Sequence, residues 1–187
     1  EILSMVDICA AEDTRKSKIL FRSYDIKSKL ISYHKYSEHK KLDYFISKLK
    51  LGKDIALITD AGTPLISDPG YLLVKKALKL SIKVIPIPGP SSLTAAISVS
   101  GLPINRFTFY GFLPRRIKAK RELIEFMAND TNTSIIFESA KRIEPFLQSL
   151  MEVCPEKEVF IAREMTKKYE SYYSGQAYKV LEKISSE

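Results

Sequence analysis

Residues 60–70, with the sequence DAGTPLISDPG, carry the clearest signs of a binding loop. They follow the apolar run 55–59 (IALIT), which is typical of a buried strand. In wound α/β proteins ligands lie beyond the carboxyl ends of strands, and a loop rich in glycine and proline can bring its backbone close to a ligand. An ordinary strand-to-helix connection, with Asp68 as N-cap and Pro69 in the first turn, explains residues 68–70 but less of the remaining loop.

A second loop, residues 86–92 (PIPGPSS), follows the next predicted strand and opens a helix. Pro90 suits the first turn of that helix. The free amides there, with the hydroxyls of Ser91 and Ser92, could hold a carboxylate or a phosphate. A simple helix cap is an equal alternative.

Several charged side chains stand at the ends of predicted strands. A carboxylate in such a place can act as a general base, and the candidates are Glu12, Asp13, Glu138 and Glu164. Helix capping or an ion pair explains each of them at least as well. Three arginines suit either phosphate binding or neutralisation of these carboxylates: Arg15, Arg142 and Arg163.

A basic run occupies residues 115–121 and places five positive charges at a predicted helix start: Arg115, Arg116, Lys118, Lys120 and Arg121. Positive charge at a helix N-terminus opposes the helix dipole, so a purely stabilising role is less natural than contact with RNA phosphates. A solvated surface is the alternative interpretation.

Other kinds of site lack support in the sequence. His34 and His39 do not have metal-ligand spacing, so no metal site is expected. The P-loop, the nucleophile elbow and the dinucleotide fingerprint do not occur. Cys9 and Cys154 lie far apart in the chain, which disfavours a zinc ribbon or a secreted disulfide scaffold and favours the reducing cytoplasm.

The composition indicates a globular protein with an anionic partner. The 187 residues are 45% hydrophobic and 28% charged, and 30 Lys and Arg against 22 Asp and Glu leave a net charge of +8. No run reaches the roughly 18 to 20 apolar residues of a membrane helix, and EILSMVD does not resemble a signal peptide, so no membrane partner is expected.

Short β-branched runs alternate with amphipathic segments, which predicts an α/β fold with parallel strands and crossover helices. In the first half we expect strands at residues 6–11, 30–34, 54–59 and 83–87, and helices at residues 14–24, 37–51, 70–80 and 91–100. In the second half we expect strands at residues 106–112, 134–138, 159–163 and, antiparallel, 169–174, and helices at residues 118–129, 141–153 and 176–184. The change of character near residues 101–105 (GLPIN) predicts an N-terminal domain at 1–103 and a C-terminal domain at 104–187.

Six segments occur together and in order: AAEDTR at 10–15, DAGTPLISDPG at 60–70, PIPGPSS at 86–92, GFLP at 111–114, FESAKR at 137–142 and AREMTK at 162–167. This series resembles the small-subunit (16S) ribosomal RNA cytidine-2′-O-methyltransferase I family, within the tetrapyrrole (corrin/porphyrin) methylase superfamily. The resemblance implies two α/β domains, with a mostly parallel sheet in the first and a mixed sheet in the second. It also implies a first strand with a Thr-Pro-Ile-Gly-Asn loop before Glu1 and a Gly-Glu strand after Glu187, which this sequence lacks.

The resemblance further implies S-adenosylmethionine in the cleft between the domains, a homodimer, and methylation of a cytidine ribose 2′-hydroxyl in small-subunit ribosomal RNA or the ribosomal subunit. Carried over by position, the cofactor contacts fall on Asp60, Gly62, Thr63, Leu65, Ile66, Ser91, Ser92, Ser139, Ala162 and Arg163. The residues expected to act in catalysis are Asp13, Arg15, Glu138, Arg142 and Glu164, and the basic run is expected to bind RNA.

Two other functions remain open at this point. A small-molecule methyltransferase acting on a tetrapyrrole-type substrate would use the same fold, because fold does not dictate substrate. A non-catalytic RNA-binding factor is the alternative from another class of protein. The positive charge and the loop at 60–70 favour the RNA methyltransferase.

Overall fold

The computed structural model describes residues 1–186. The chain divides into two compact units, and the boundary in the sequence falls between Ser91 and Ser92. These units differ from the predicted domains 1–103 and 104–187 in the placement of residues 92–103. Several of those residues line a cavity together with strands of the second unit, which explains why they group with it.

The first unit contains a parallel sheet with helices packed against it. Its elements in chain order are α1 (Ile2–Met5), β1 (Ile8–Ala11), α2 (Thr14–Ser23), β2 (Lys29–Ser32), α3 (Glu38–Lys50), β3 (Ile55–Ile58) and α4 (Tyr71–Lys79). The strand order is β2-β1-β3, and Ala11 at the end of β1 pairs with Ser32 of β2 and Ile58 of β3. The carboxyl ends of all three strands therefore meet at one edge, as the alternation of strands and helices predicts.

The central strand β1 is buried at all four positions, because it has a strand on either side. Its side chains pack with Tyr33 and Phe45, both fully buried, whose rings meet edge to face at 5.1 Å. This core fixes the edge of the sheet from which the loop at 60–70 leaves.

The second unit combines parallel and antiparallel strand pairs. Its elements are α5 (Ser92–Ser98), β4 (Phe107–Phe112), α6 (Ile117–Asn129), β5 (Thr133–Phe137), α7 (Ala140–Val153), β6 (Glu158–Arg163), β7 (Ser171–Gln176) and α8 (Ala177–Ser185). Strands β4 and β5 are parallel and β6 and β7 are antiparallel. Both orientations occur as predicted, but within residues 1–186 they form two separate two-stranded sheets.

The core of the second unit lies between its helices and strands, with Ile124, Leu147 and Val180 fully buried. These residues come from α6, α7 and α8, which explains why three amphipathic helices are needed to close this unit.

Two local predictions are wrong. Residues 83–87 do not form a strand: Val84, Ile85 and Ile87 are exposed, and no strand within residues 1–186 pairs with them. Strand-forming residues need a hydrogen-bonded neighbour as well as propensity. In addition, α4 begins after Gly70, which is its N-cap, instead of after Asp68.

None of the helices in residues 1–186 has the length and apolar content needed to cross a membrane.

Candidate functional site

In the first unit, the candidate site lies at the carboxyl edge of the sheet. Glu12 follows β1 and Thr59 follows β3, and the parallel pairing brings them together. The Glu12 Oε2 atom accepts a hydrogen bond from the Thr59 hydroxyl at 2.7 Å and one from the backbone N–H of Asp60 at 3.2 Å. Glu12 therefore holds the start of the loop at 60–70.

Asp13 has a structural role in addition to the predicted catalytic one. It is the N-cap of α2, where its Oδ1 accepts the backbone N–H of Arg15 at 2.9 Å. The Arg15 guanidinium also contacts both carboxylate oxygens, at 2.7 to 3.2 Å. These bonds hold the pKa of Asp13 well below its usual range, so this carboxylate is a weak base.

Asp60 forms an ion pair with Lys16. The ammonium of Lys16 lies 2.7 Å from Asp60 Oδ2, and this contact raises the pKa of Lys16. Lys16 is two-thirds exposed, so the pair adds little stability, but it places a positive charge beside Asp60 at the entrance of the loop.

The loop at 60–70 has an unusual backbone. Four of its residues, Gly62, Leu65, Ser67 and Gly70, have φ between 66° and 132°. Leucine and serine adopt such angles only at a cost of about 1–3 kcal/mol each, which the surrounding contacts must offset. The predicted cofactor residues Asp60, Gly62, Thr63 and Ile66 are exposed and Leu65 is half-buried, so the loop offers both backbone and side chains to a ligand.

The two loops singled out from the sequence contact each other. The Thr63 hydroxyl donates to the Pro90 carbonyl at 3.2 Å, and a Cβ on Gly62 would lie 3.8 Å from that same carbonyl. Residues 60–63 and the loop at 86–91 therefore form one surface of the first unit. Ser91 ends this unit, whereas Ser92 begins α5 in the second.

The far end of the loop is anchored by Glu38, a residue that the sequence analysis did not select. Its Oε1 accepts the backbone N–H groups of Gly70 at 3.1 Å and Leu72 at 3.0 Å, so a glutamate of α3 caps α4. The sequence offers only a weak signal for this, because an acidic residue in the first turn of α3 is already explained by the dipole of α3 itself.

In the second unit, Arg142 joins the carboxyl ends of β4 and β5. Its Nη2 donates to the carbonyls of Leu113 and Pro114 at 3.1 and 3.2 Å, and it lies 3.2 Å from Glu138 Oε2. The Glu138 side chain is 2% exposed, and its Oε1 accepts the N–H of Ser139, the N-cap of α7. The structure thus brings together the predicted residues of FESAKR with the GFLP segment.

The predicted residues at the end of β6 form a separate turn. Ala162 is half-buried, whereas Arg163 and Glu164 are exposed. Glu164 has φ 52° and its carboxylate lies 3.2 Å from the Lys167 ammonium.

A cavity of about 600 Å³ lies within the second unit, lined chiefly by α5, α7 and the strands β5 and β6. Its lining is mainly apolar, and three predicted site residues contribute to it: Ser92, Glu138 and Ala162. The Oγ of Ser134 is buried there without a hydrogen-bond partner among residues 1–186, whereas the buried Oε2 of Glu138 has the Arg142 guanidinium as its ion-pair partner.

The basic run lies where the sequence predicted a helix start. Lys118 and Arg121 face Glu122 and Glu125 on α6, at 4.0 and 3.0 Å, and Lys120 donates to the Pro145 carbonyl at 3.3 Å. The side chains of Arg115 and Arg116 are exposed and have no partner within the described part of the chain. They are therefore the two members of the run that are available to a ligand.

In residues 1–186, no group of three or more His, Cys, Asp or Glu side chains is placed to hold a metal ion.

Comparison with solved structures shows the fold. The methyltransferase CobJ matches with a TM-score of 0.68 at 13% identity, over 97% of this chain and 80% of its own. Uroporphyrin-III C-methyl transferase from Thermus thermophilus, complexed with S-adenyl homocysteine, matches with a TM-score of 0.60 at 14% identity, over 97% and 81%. These similarities confirm the predicted α/β fold of the tetrapyrrole methylase type.

Comparison with curated sequences is closer. Ribosomal RNA small subunit methyltransferase I of Buchnera aphidicola (from Schizaphis graminum) is 44% identical over 97% of this chain, which spans 64% of that relative. The protein of the same name from Thermotoga maritima is 42% identical over 98% of this chain, which spans 81% of it. The chain thus spans less than two thirds of the length of the Buchnera relative. The profile of the tetrapyrrole (corrin/porphyrin) methylases matches residues 1–181. The chain therefore belongs to the tetrapyrrole (corrin/porphyrin) methylase family and, within it, to the ribosomal RNA small subunit methyltransferase I proteins.

Proposed function

We propose that this protein is an S-adenosylmethionine-dependent methyltransferase that modifies the ribose 2′-hydroxyl of a cytidine in small-subunit ribosomal RNA. The observation that carries this proposal is the loop at 60–70, anchored at both ends by Glu12 and Glu38 and open at residues 60–63. The names of the relatives support the substrate class.

The chemistry of the loop fits this cofactor. S-adenosylmethionine has a carboxylate, an ammonium group and a ribose, which backbone N–H and C=O groups and a carboxylate such as Asp60 can recognise. A Cβ on Gly62 would meet only the Pro90 carbonyl, at 3.8 Å, so a ligand can approach the backbone here closely. Thr63, Leu65, Ile66 and Ser91 complete the proposed contacts in the first unit. Ser92, Ser139, Ala162 and Arg163 are proposed as cofactor contacts from the family resemblance.

The residues of this chain act chiefly by alignment. The bound cofactor supplies an electrophilic methyl group on a sulfonium, and in-line transfer requires the ribose oxygen to face it. Among the proposed bases Glu138 has the most enclosed carboxyl group: its side chain is 2% exposed, it lines the cavity of the second unit, and its Oε2 lies 3.2 Å from the Arg142 guanidinium. Arg142 would hold Glu138 in place, while Asp13, Arg15 and Glu164 complete the proposed catalytic set.

RNA binding is proposed for the basic run, with Arg115 and Arg116 as its leading members and Lys118, Lys120 and Arg121 beside them. Their positive charges would contact phosphates and would add affinity without recognising bases. A homodimer, and small-subunit ribosomal RNA or the ribosomal subunit as substrate, belong to the same proposal.

The decisive experiment uses full-length protein, labelled S-adenosylmethionine and small ribosomal subunits that lack the modification, with the labelled nucleotide located by mass spectrometry. Label on a cytidine ribose is expected. Transfer to a tetrapyrrole but not to RNA would favour the small-molecule alternative, and no binding of the cofactor in calorimetry would favour the non-catalytic one.

The loop assignment has a matched control in Gly52. Gly62 and Gly52 have similar φ angles, 78° and 75°, and a Cβ at Gly52 meets nothing within 4 Å. Gly62→Val should therefore abolish binding of S-adenosylmethionine, whereas Gly52→Val should carry a similar backbone strain and still bind it. Equal binding by both variants would show that the loop does not contact the cofactor.

A further inference from the structure

The hydroxyl of Thr59 lies between two carboxyl groups. Its Oγ1 is 2.7 Å from Glu12 Oε2 and 2.7 Å from Asp68 Oδ2. A threonine hydroxyl has one hydrogen and can donate to one of these oxygens at a time. Two hydrogen bonds of this length therefore require a second hydrogen, which one of the two carboxyl groups must carry.

The surroundings assign that hydrogen to Asp68. The Oε2 of Glu12 also accepts the backbone N–H of Asp60, so this oxygen already acts as an acceptor. Asp68 lies inside the loop, where burial raises its pKa, and the nearby charges of Glu12 and Asp60 raise it further. A hydrogen bond donated by Thr59 to the ionised form acts in the opposite direction. The remaining charged groups at this edge are paired, Lys16 with Asp60 and Arg15 with Asp13.

We propose that Thr59 and Asp68 are positioning residues for the cofactor-binding loop, joined to Glu12 in one hydrogen-bonded chain that holds an additional proton. Protonated Asp68 donates to Thr59, and Thr59 donates to the Oε2 of Glu12. This contact closes the loop on itself, because Thr59 precedes it and Asp68 is near its end. The inference rests on the proposed function and adds a pH dependence to it.

The direction of the pH dependence follows from whether Asp68 carries its proton. Below the raised pKa of Asp68 both hydrogen bonds form and the loop keeps its shape. As pH rises through that pKa, two carboxylates share one hydroxyl hydrogen and repel each other, so the loop opens. Because one proton is released, log Kd for S-adenosylmethionine should rise with pH with a slope of at most about one.

Calorimetry from about pH 4.5 to about pH 8.5 spans the range of a raised aspartate pKa. Relative to the parent, Asp68→Asn should bind S-adenosylmethionine with an affinity that does not fall with pH, since its amide always donates to Thr59. Thr59→Val should bind at least tenfold more weakly at the lower pH and should lose the slope. The matched control is Glu38→Gln, which alters the anchor of Gly70 without touching the Glu12–Thr59–Asp68 chain and should keep the slope of the parent.

A readout without cofactor separates this proposal from the proposed function. Hydrogen-exchange protection factors of the Asp60 and Ile66 amides, corrected for the intrinsic effect of pH, should fall with rising pH in the parent but not in Asp68→Asn. The same fall in both proteins would overturn the proton-holding chain. If the parent shows the expected exchange but binds no S-adenosylmethionine, the proposed function fails, and with it the role toward the cofactor, while the hydrogen-bonded chain stands.

Discussion

Gly70 provides a quantitative test of how the loop at 60–70 joins α4. Its φ is 132°, and a Cβ built on it would lie 2.5 Å from Leu57 Cδ2 and 2.8 Å from Leu65 Cδ1. A Gly70→Ala variant therefore has two costs, a strained backbone of about 1–3 kcal/mol and overpacking of about 1–3 kcal/mol. We expect a loss of about 2–6 kcal/mol in the free energy of unfolding, and a loss near the lower limit if the two leucine side chains move aside.

Gly52→Ala is the matched control, because Gly52 also has a positive φ, 75°, but nothing lies within 4 Å of its Cβ position. It should lose only the backbone part, about 1–2 kcal/mol. Urea unfolding followed through labelling of Cys9, a fully buried thiol in β1, reports on the first unit directly. A loss in Gly70→Ala no larger than that in Gly52→Ala would refute the close packing of Gly70 against the two leucines.

Three further results are expected. Burial raises the pKa of the Cys9 thiol to about 12, so alkylation near pH 8 should spare Cys9 and modify the half-buried Cys154. Peptide mass spectrometry would identify the modified cysteine. Modification of Cys9 in the native protein would contradict its burial. Replacing Arg115 and Arg116 with Ala should lower the slope of log RNA affinity against log salt by about 0.7–0.9 for each phosphate that the variant no longer neutralises. Cofactor affinity should not change. An unchanged slope would show that the two arginines are solvated surface residues that do not contact RNA. Glu38→Ala should lose about 1–3 kcal/mol of unfolding free energy in urea, and Glu38→Gln less, because the amide oxygen still accepts two backbone N–H groups; equal losses would argue against the cap.

Most of the secondary structure could be predicted from local sequence. The run IALI forms β3 within the predicted residues 54–59, and α7 starts and ends within a residue of its predicted limits. The parallel orientation of the strands in the first sheet could also be predicted, because each connecting helix returns the chain to the same end of the sheet. The exposed position of Arg115 and Arg116 agrees with their charge.

The predictions failed where a local pattern had no suitable tertiary context. Residues 83–87 have the composition of a strand but lack a hydrogen-bonded neighbour within residues 1–186. Asp68 has the spacing of an N-cap, yet its carboxyl turns to Thr59 and the helix begins after Gly70. In both cases the presence or absence of a partner outside the local segment decided the outcome.

The sequence by itself determined the two loops, the strand that precedes the first of them and the basic run, because hydrophobic periodicity and glycine and proline content are local properties. Only the tertiary structure decided which side chains hold the loop at 60–70. Glu12 and Glu38 reach its backbone across separations of 48 and 32 residues, and Thr59 joins Glu12 to Asp68. Such contacts depend on which strand ends the sheet brings to one edge, and that order is set by packing of the whole unit, not by the residues around each position.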